Sequence, residues 1–208
     1  MRELAAAFLL LGCAGSAAAQ SPVGATTDDG RKVLLFPDGK WKPAAVPSPA
    51  GTGKGGYLRS PRATERVDLL RGAMAIYVDP AKWKKLAETE DVTKTTFHHA
   101  SGEAYGMIVA ERLAVPLQRL KDIAITNARS AAPDAKVVFE ESRHVNDIDV
   151  LVMQLEGTIQ GIPFTYYGYY YSGPQGSLQV LTYTGTNLFA EYKAAFEEFL
   201  NGLTAAKG

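Results

Sequence analysis

Asp149-Val150-Leu151-Val152-Met153-Gln154-Leu155-Glu156-Gly157-Thr158-Ile159 is the stretch on which the fold turns. Successive side chains of an extended chain point to opposite sides, so Leu151, Met153, Leu155 and Ile159 share one face. Gln160-Gly161 ends the run, and Pro163–Ser172 continues as a second extended segment. Upstream, Lys136–Arg143 leads into it across Asn146-Asp147. Downstream, Ser177–Thr184 follows across Gly173-Pro174-Gln175-Gly176. Connections this short join antiparallel neighbours, because parallel strands need a long crossover. The spacing therefore predicts a four-stranded antiparallel meander.

Working outward, Leu188–Leu203 reads as a helix. Leu188, Tyr192, Ala195, Phe196, Phe199, Leu200 and Leu203 form one stripe, with Glu191, Lys193, Glu197 and Glu198 outside it. Such a stripe must be buried, and the sheet is the partner at hand. Before the meander, Pro116 opens another helix, since proline is tolerated in a first turn. Leu117, Leu120, Ile123, Ala124 and Ala128 recur at helical spacing, and the helix ends near Ala132-Pro133. Further upstream, Val67–Leu70 and Ala73–Val78 read as strands joined at Arg71-Gly72. Asp79-Pro80 leads to a short helix, Ala81–Leu86, carrying Trp83. Thr95–Ser101 and Ala104–Glu111 form a hairpin across Gly102-Glu103.

The N-terminal quarter differs in composition. Residues 1–19 read as a secretory signal: Arg2 at the start, an apolar run at Leu4–Leu11, and small residues at Ala17-Ala18-Ala19 before Gln20. Leu10-Leu11-Gly12-Cys13 also resembles a bacterial lipobox, which would make Cys13 a lipid anchor. Glu3 shortens the uncharged run, so we favour plain cleavage. Cys13 is the only cysteine, and its loss removes thiol, disulfide and cysteine–metal chemistry. Residues 20–42 read as a β-hairpin segment, with Pro37-Asp38-Gly39 as the turn. Residues 43–56 read as a flexible Ala/Pro/Gly linker. Within it, Gly51-Thr52-Gly53-Lys54-Gly55 lacks the spacing and the preceding strand of a phosphate loop.

Two resemblances add to this reading. Asp29, Gly30, Arg31, Val33, Leu35, Asp38, Gly39 and Trp41 resemble a short DGR-V-L-DG-W hairpin of exported bacterial proteins, which implies no chemistry. Met74-Ala75-Ile76-Tyr77-Val78-Asp79-Pro80-Ala81-Lys82-Trp83 resembles the opening strand of the PsbP-like family, and Ser177–Leu203 its closing strand and helix. That resemblance covers about residues 60–205 and implies an α+β fold, an α/β/α sandwich around an antiparallel sheet. It also implies a binding or accessory role, in photosystem subunits or in exported bacterial proteins. The chain departs from the photosynthetic members in its N-terminal hairpin and linker, and no metal ligand of the family falls on it.

Composition narrows the partners. The chain has 22 basic and 22 acidic residues, and the signal takes one of each, so the balance stays at zero. A neutral chain has no electrostatic footprint for nucleic acid or an anionic membrane surface. After signal removal no apolar run approaches a membrane span.

Candidate chemistry is sparse. His98-His99 and Glu140-Glu141 are consecutive strand positions, so each pair diverges to opposite faces. His144, Asp147 and Asp149 are weak candidates for a metal, but Asn146-Asp147 is also what a tight turn demands. No G-x-S-x-G or H-E-x-x-H occurs. The tyrosine strand stands out: Phe164, Tyr166 and Tyr170 share one face, and Tyr167, Tyr169 and Tyr171 the other. Aromatic residues on both faces predict cover on both. The functional alternative places a rim of hydroxyls, Tyr167, Tyr169 and Tyr171, along a groove for a partner, with bare Gly168 allowing close approach.

The expectation is a signal peptide over 1–19, a hairpin over 20–42, a linker over 43–56 and a PsbP-like domain over 57–208. Its function is expected to be non-catalytic, without a cofactor: a periplasmic or secreted accessory module that binds a protein or envelope component through the aromatic sheet face. Anchoring as a lipoprotein is the alternative location. A small-molecule or metal-binding protein with a pocket beneath the Pro116–Ala132 helix is the second reading, and a hydrolase a distant third.

Overall fold

A computed structural model describes residues 23–26, 32–35, 41–43, 57–86 and 93–206. The signal segment, Cys13, the Gly51–Gly55 run and most of the linker lie outside them. The chain divides into two units, Met1–Ser48 and Pro49–Gly208.

In the first unit, β1 (Val23–Thr26), β2 (Lys32–Leu35) and β3 (Trp41–Pro43) form an antiparallel sheet in chain order. In the strand register Leu35 pairs with both Val23 and Trp41. β1 is a strand that the sequence reading did not include.

The second unit opens with β4 (Glu65–Leu69) and β5 (Met74–Val78), joined by a single 3-10 turn, Leu70–Gly72. β6 (Trp83–Lys85), β7 (Lys94–His99) and β8 (Tyr105–Glu111) follow, then α1 (Leu117–Ala131). The meander is β9 (Lys136–Val145), β10 (Ile148–Ile159), β11 (Ile162–Gly173) and β12 (Gly176–Gly185). A 3-10 turn, Thr186–Leu188, leads into α2 (Phe189–Leu200), and β13 (Leu203–Ala205) closes the described chain.

Seven strands form one antiparallel sheet in the order β6-β7-β8-β12-β11-β10-β9, and β13-β5-β4 forms a smaller one. The meander pairs in the expected sequence. Its turns suit their residues: Asn146 and Asp147 both take positive φ, and so do Gln160 and Gly161. That is the geometry a two-residue hairpin needs, and Asn, Asp and Gly tolerate it best. Asn146 also donates to the Asn201 and Leu203 carbonyls, tying this turn to the corner between α2 and β13.

The two helices cover opposite faces of the large sheet. α2 buries Tyr192, Phe196, Phe199 and Leu200. They meet Val150 and Val152 of β10, Tyr167 and Tyr169 of β11, Leu178 and Val180 of β12, and Met74, Ile76 and Val78 of the small sheet. α1 buries Leu120 and Ala124 against Leu151, Met153, Leu155 and Tyr170. The result is an α/β/α sandwich with two separate cores.

Three expectations need correction. Trp83 lies on an edge strand, not a helix. Asp79 accepts from the amides of Ala81, Lys82 and Trp83, which closes one turn. The chain then pairs extended with β7, Trp83 opposite His99. Trp83 still reaches the core, its ring 4.6 Å from that of Phe199. Leu203 lies in β13, beyond the end of α2. A side chain on Gly202 would strike the Tyr77 carbonyl at 1.9 Å, so the chain turns tightly there and returns as a strand beside β5. On α1, Leu117 and Ile123 stay exposed, so the packed stripe is narrower than its spacing predicts.

Candidate functional site

The expected tyrosine rim belongs to the core. Tyr167 is 1% and Tyr169 0% exposed, both beneath α2. Their hydroxyls are spoken for. Tyr167 donates to Glu197 at 3.3 Å and Tyr169 to Asn201 at 2.7 Å. Arg143 from β9 is buried among them, donating to the Tyr169 hydroxyl at 3.4 Å and pairing with Glu141 and Glu197. Burial opposes its charge, but the bonds to Tyr169 and Glu141 win, and its pKa rises. Burial also pushes Tyr169 up to about 12 and raises Tyr167. Tyr171, at the strand end, is half-buried and donates to Gln175. These three hydroxyls fasten α2 and a turn, and they line no open groove. Physically, a helix that carries Tyr192, Phe196, Phe199 and Leu200 on one side must bury them, and this sheet face is where they pack. Gly168 points to the other side, where an added Cβ would meet Leu181 Cδ2 at 2.5 Å; its bareness serves packing.

His144 and Asp149 do meet, at 2.8 Å, as a cross-strand pair exposed by 61% and 87%. Asp147 occupies the turn, and no group of three metal-ligating side chains occurs among the described residues. His98 and His99 diverge as expected. His99 Nδ1 lies 2.7 Å from Ser101 Oγ, which is 2.6 Å from the Tyr192 hydroxyl. Burial, then Lys82 and His98, lower the His99 pKa, and its Nε2 is sealed without a partner. No carboxylate orients this imidazole, so the pair lacks the third member that activates a serine. Glu140 is bound by Lys121 of α1, and Glu141 by Arg143.

The α1 face of the sheet is built differently. α1 packs on β9, β10 and β11, leaving β12, β8 and β7 beyond its edge. Side chains there fall into cross-strand rows. One row is His98, Tyr105, Tyr183 and Tyr166, from β7, β8, β12 and β11. Their rings follow one another at 5.1, 5.2 and 5.3 Å, with Tyr105 and Tyr183 stacked. Two residues along lie Thr96, Met107, Leu181 and Gly168; two further lie Lys94, Val109, Gln179 and Tyr170. Aromatic and aliphatic cross-strand pairs of this kind stiffen a sheet.

Between these rows and α1 runs a cleft of about 410 Å³. Met107, Val109, Leu181 and Leu155 make an apolar floor, and Ile123, Ala124 and Ala128 an apolar wall. Tyr166 stands at one end, Lys94 and Glu111 at the other. The size matches ordinary small-ligand sites, and Thr93, Asn127, Tyr170 and Gln179 add polar groups to the apolar floor and wall. The expected pocket beneath the Pro116–Ala132 helix is therefore present, at the helix edge. Sequence alternation had already put Tyr166 and Tyr170 on this face. What it lacked was the width of sheet that a single helix leaves open.

A second hollow, about 670 Å³, lies on the outer face of the small sheet beside Arg59, Arg66 and Tyr77. Arg66 is paired with Asp68, and Arg59 sits over the Tyr77 ring at 4.0 Å. No helix among the described residues is long and apolar enough to cross a membrane.

No family model matches the chain, and no curated protein matches it. Solved structures do. A cyanobacterial PsbP from Synechocystis is similar at a TM-score of 0.51 and 7% identity, over 70% of this chain and 94% of that one. The Ran-binding protein Mog1p of Saccharomyces cerevisiae gives 0.47 and 9%, over 69% and 95%. A Bacteroides thetaiotaomicron protein gives 0.45 and 14%, over 70% of this chain but only 49% of its own length. At 7% identity the likeness to the cyanobacterial PsbP concerns the fold alone, and the fold is PsbP-like.

Proposed function

We propose that this chain is an exported, non-catalytic binding module of the cell envelope, and that it binds a small, largely apolar molecule in the cleft beside α1. The signal-like residues 1–19 support the location. One observation carries the site: a cleft of about 410 Å³ with an apolar floor and wall, on the half of the sheet face that α1 leaves uncovered. The Tyr166–Tyr183–Tyr105–His98 ladder borders that half and holds its strands in register. The proposed binding face is thus the opposite side of the sheet from Tyr167, Tyr169 and Tyr171, the residues expected from sequence.

The test uses the dye N-phenyl-1-naphthylamine, which brightens in apolar sites. The purified protein should bind it saturably while melting cooperatively. Ala128→Phe and Met107→Trp, each placing a ring in the cleft, should weaken binding by about tenfold or more, which is 1.4 kcal/mol. Circular dichroism should stay native in both. A folded protein that ignores the dye, or binds it equally in both variants, overturns the reading.

A further inference from the structure

Two polar side chains on the cleft floor set it apart from a greasy slot. Tyr170 is 2% and Gln179 9% exposed, and they face each other across β11 and β12. Neither side chain has a hydrogen-bond partner among the described residues. The only polar side-chain atoms there that are sealed without a partner are Trp83 Nε1, His99 Nε2 and Glu198 Oε1. The Tyr170 hydroxyl and the Gln179 amide therefore reach the open space of the cleft, whose lining includes both. Buried polar groups are normally bonded, and those left open at a cavity floor are matched by what enters it.

Resting on the binding reading above, we propose that the cleft selects a neutral amphiphile whose carbonyl-bearing head, an amide or ester, is held by Tyr170 and Gln179 while its apolar body lies along Met107, Leu181 and Ala128. The hydroxyl of Tyr170 donates; the amide of Gln179 both donates and accepts. Burial raises the Tyr170 pKa, so the hydroxyl keeps its proton. A charged head fares worse. Lys94 lines the cleft two strands from Gln179, across Val109 of β8, and Glu111 lines it too. A carboxylate held between Tyr170 and Gln179 would exchange its water for two neutral partners, not for an adjacent ion.

The experiment displaces bound N-phenyl-1-naphthylamine with decanamide or decanoate at pH 7.5, two ligands of nearly equal shape. Decanamide should compete at least tenfold better. Tyr170→Phe and Gln179→Leu should each weaken decanamide by about five- to tenfold, the worth of one buried hydrogen bond, and narrow its advantage over decanoate, with native circular dichroism in both. Decanoate competing as well as decanamide overturns the head-group assignment, and so does a preference untouched by both variants. If decanoate wins and Lys94→Met abolishes it, the cleft is an anion site instead. Failure of the dye to bind at all breaks the underlying binding reading, so the two failures are distinct.

Discussion

Tyr169 and Tyr170 are neighbours on one strand, equally buried, and they live in different regions of the molecule. Tyr169 points to α2, where its hydroxyl is held between Asn201 and Arg143. Tyr170 points to the α1 side, where its hydroxyl meets the cleft. One face is a closed core in which polar atoms are consumed by structure. The other is half covered, and the Tyr170 hydroxyl and Gln179 amide on it have no partner among the described residues. Burial alone does not separate a structural tyrosine from a binding one; what separates them is whether the hydroxyl already has a partner.

The sharpest way to break this contrast is to attack the closed face. Arg143→Ala should cost about 2–3 kcal/mol, because it removes a buried side chain, one bond to the Tyr169 hydroxyl and the cation beside the partly exposed Glu141 and Glu197. A denaturant titration reads this directly; a loss below 1 kcal/mol would mean the Arg143 network is ornamental. Dye binding by whatever fraction stays folded should be unchanged.

Alkali attacks the same face through protons. Tyr169 titrates near 12 when folded and near 10 when unfolded. Between these values the unfolded state holds fewer protons, so its contribution is intact below about pH 10 and lost as pH climbs toward 12. The loss is about 2–3 kcal/mol at the upper end. Tyr167 and Tyr170, also raised by burial, act in the same direction. Absorbance near 295 nm should show some of the ten tyrosines ionising only as the protein unfolds. A titration complete by pH 10.5 with the fold intact would contradict this.

A paired substitution sharpens the contrast further. Tyr169→Phe removes a bond to Asn201 and should cost about 1–2 kcal/mol. Tyr170→Phe removes no bond within the protein and should be neutral to within about 0.5 kcal/mol. Equal losses would erase the distinction between the faces.

The smallest effect belongs to the exposed pair. His144→Gln breaks the contact with Asp149 and should shift stability by less than about 0.5 kcal/mol. Added zinc should leave the melting temperature unchanged; a rise of several degrees that His144→Gln removes would revive a metal site there.

Much of the architecture was legible because it is local. Period-two alternation and two-residue turns marked the meander, and Pro116 and the Phe196–Phe199 stripe marked the helices. The misreadings came where local preference met a tertiary demand. Ala81–Leu86 favours helix residue by residue, but an edge of β7 was available to pair with Trp83. Leu203 continues the helical stripe, yet Gly202 lies so close to the Tyr77 carbonyl that the chain must turn. The candidate site was partly legible. A pocket between the sheet and the Pro116 helix was the second reading, and alternation put Tyr166 and Tyr170 on the face where the cleft lies, while Gln179, Tyr105 and Tyr183 gave no signal of their own.

Sequence by itself determined which side chains share a face, because alternation in a strand is a property of the covalent chain. It also determined the antiparallel order, because short turns admit nothing else. Only the tertiary structure decided which face closes and which stays open. That choice depends on how much sheet a single helix covers and on whether Arg143 and Asn201 arrive from distant elements to meet a hydroxyl. Neither quantity is written in any one segment.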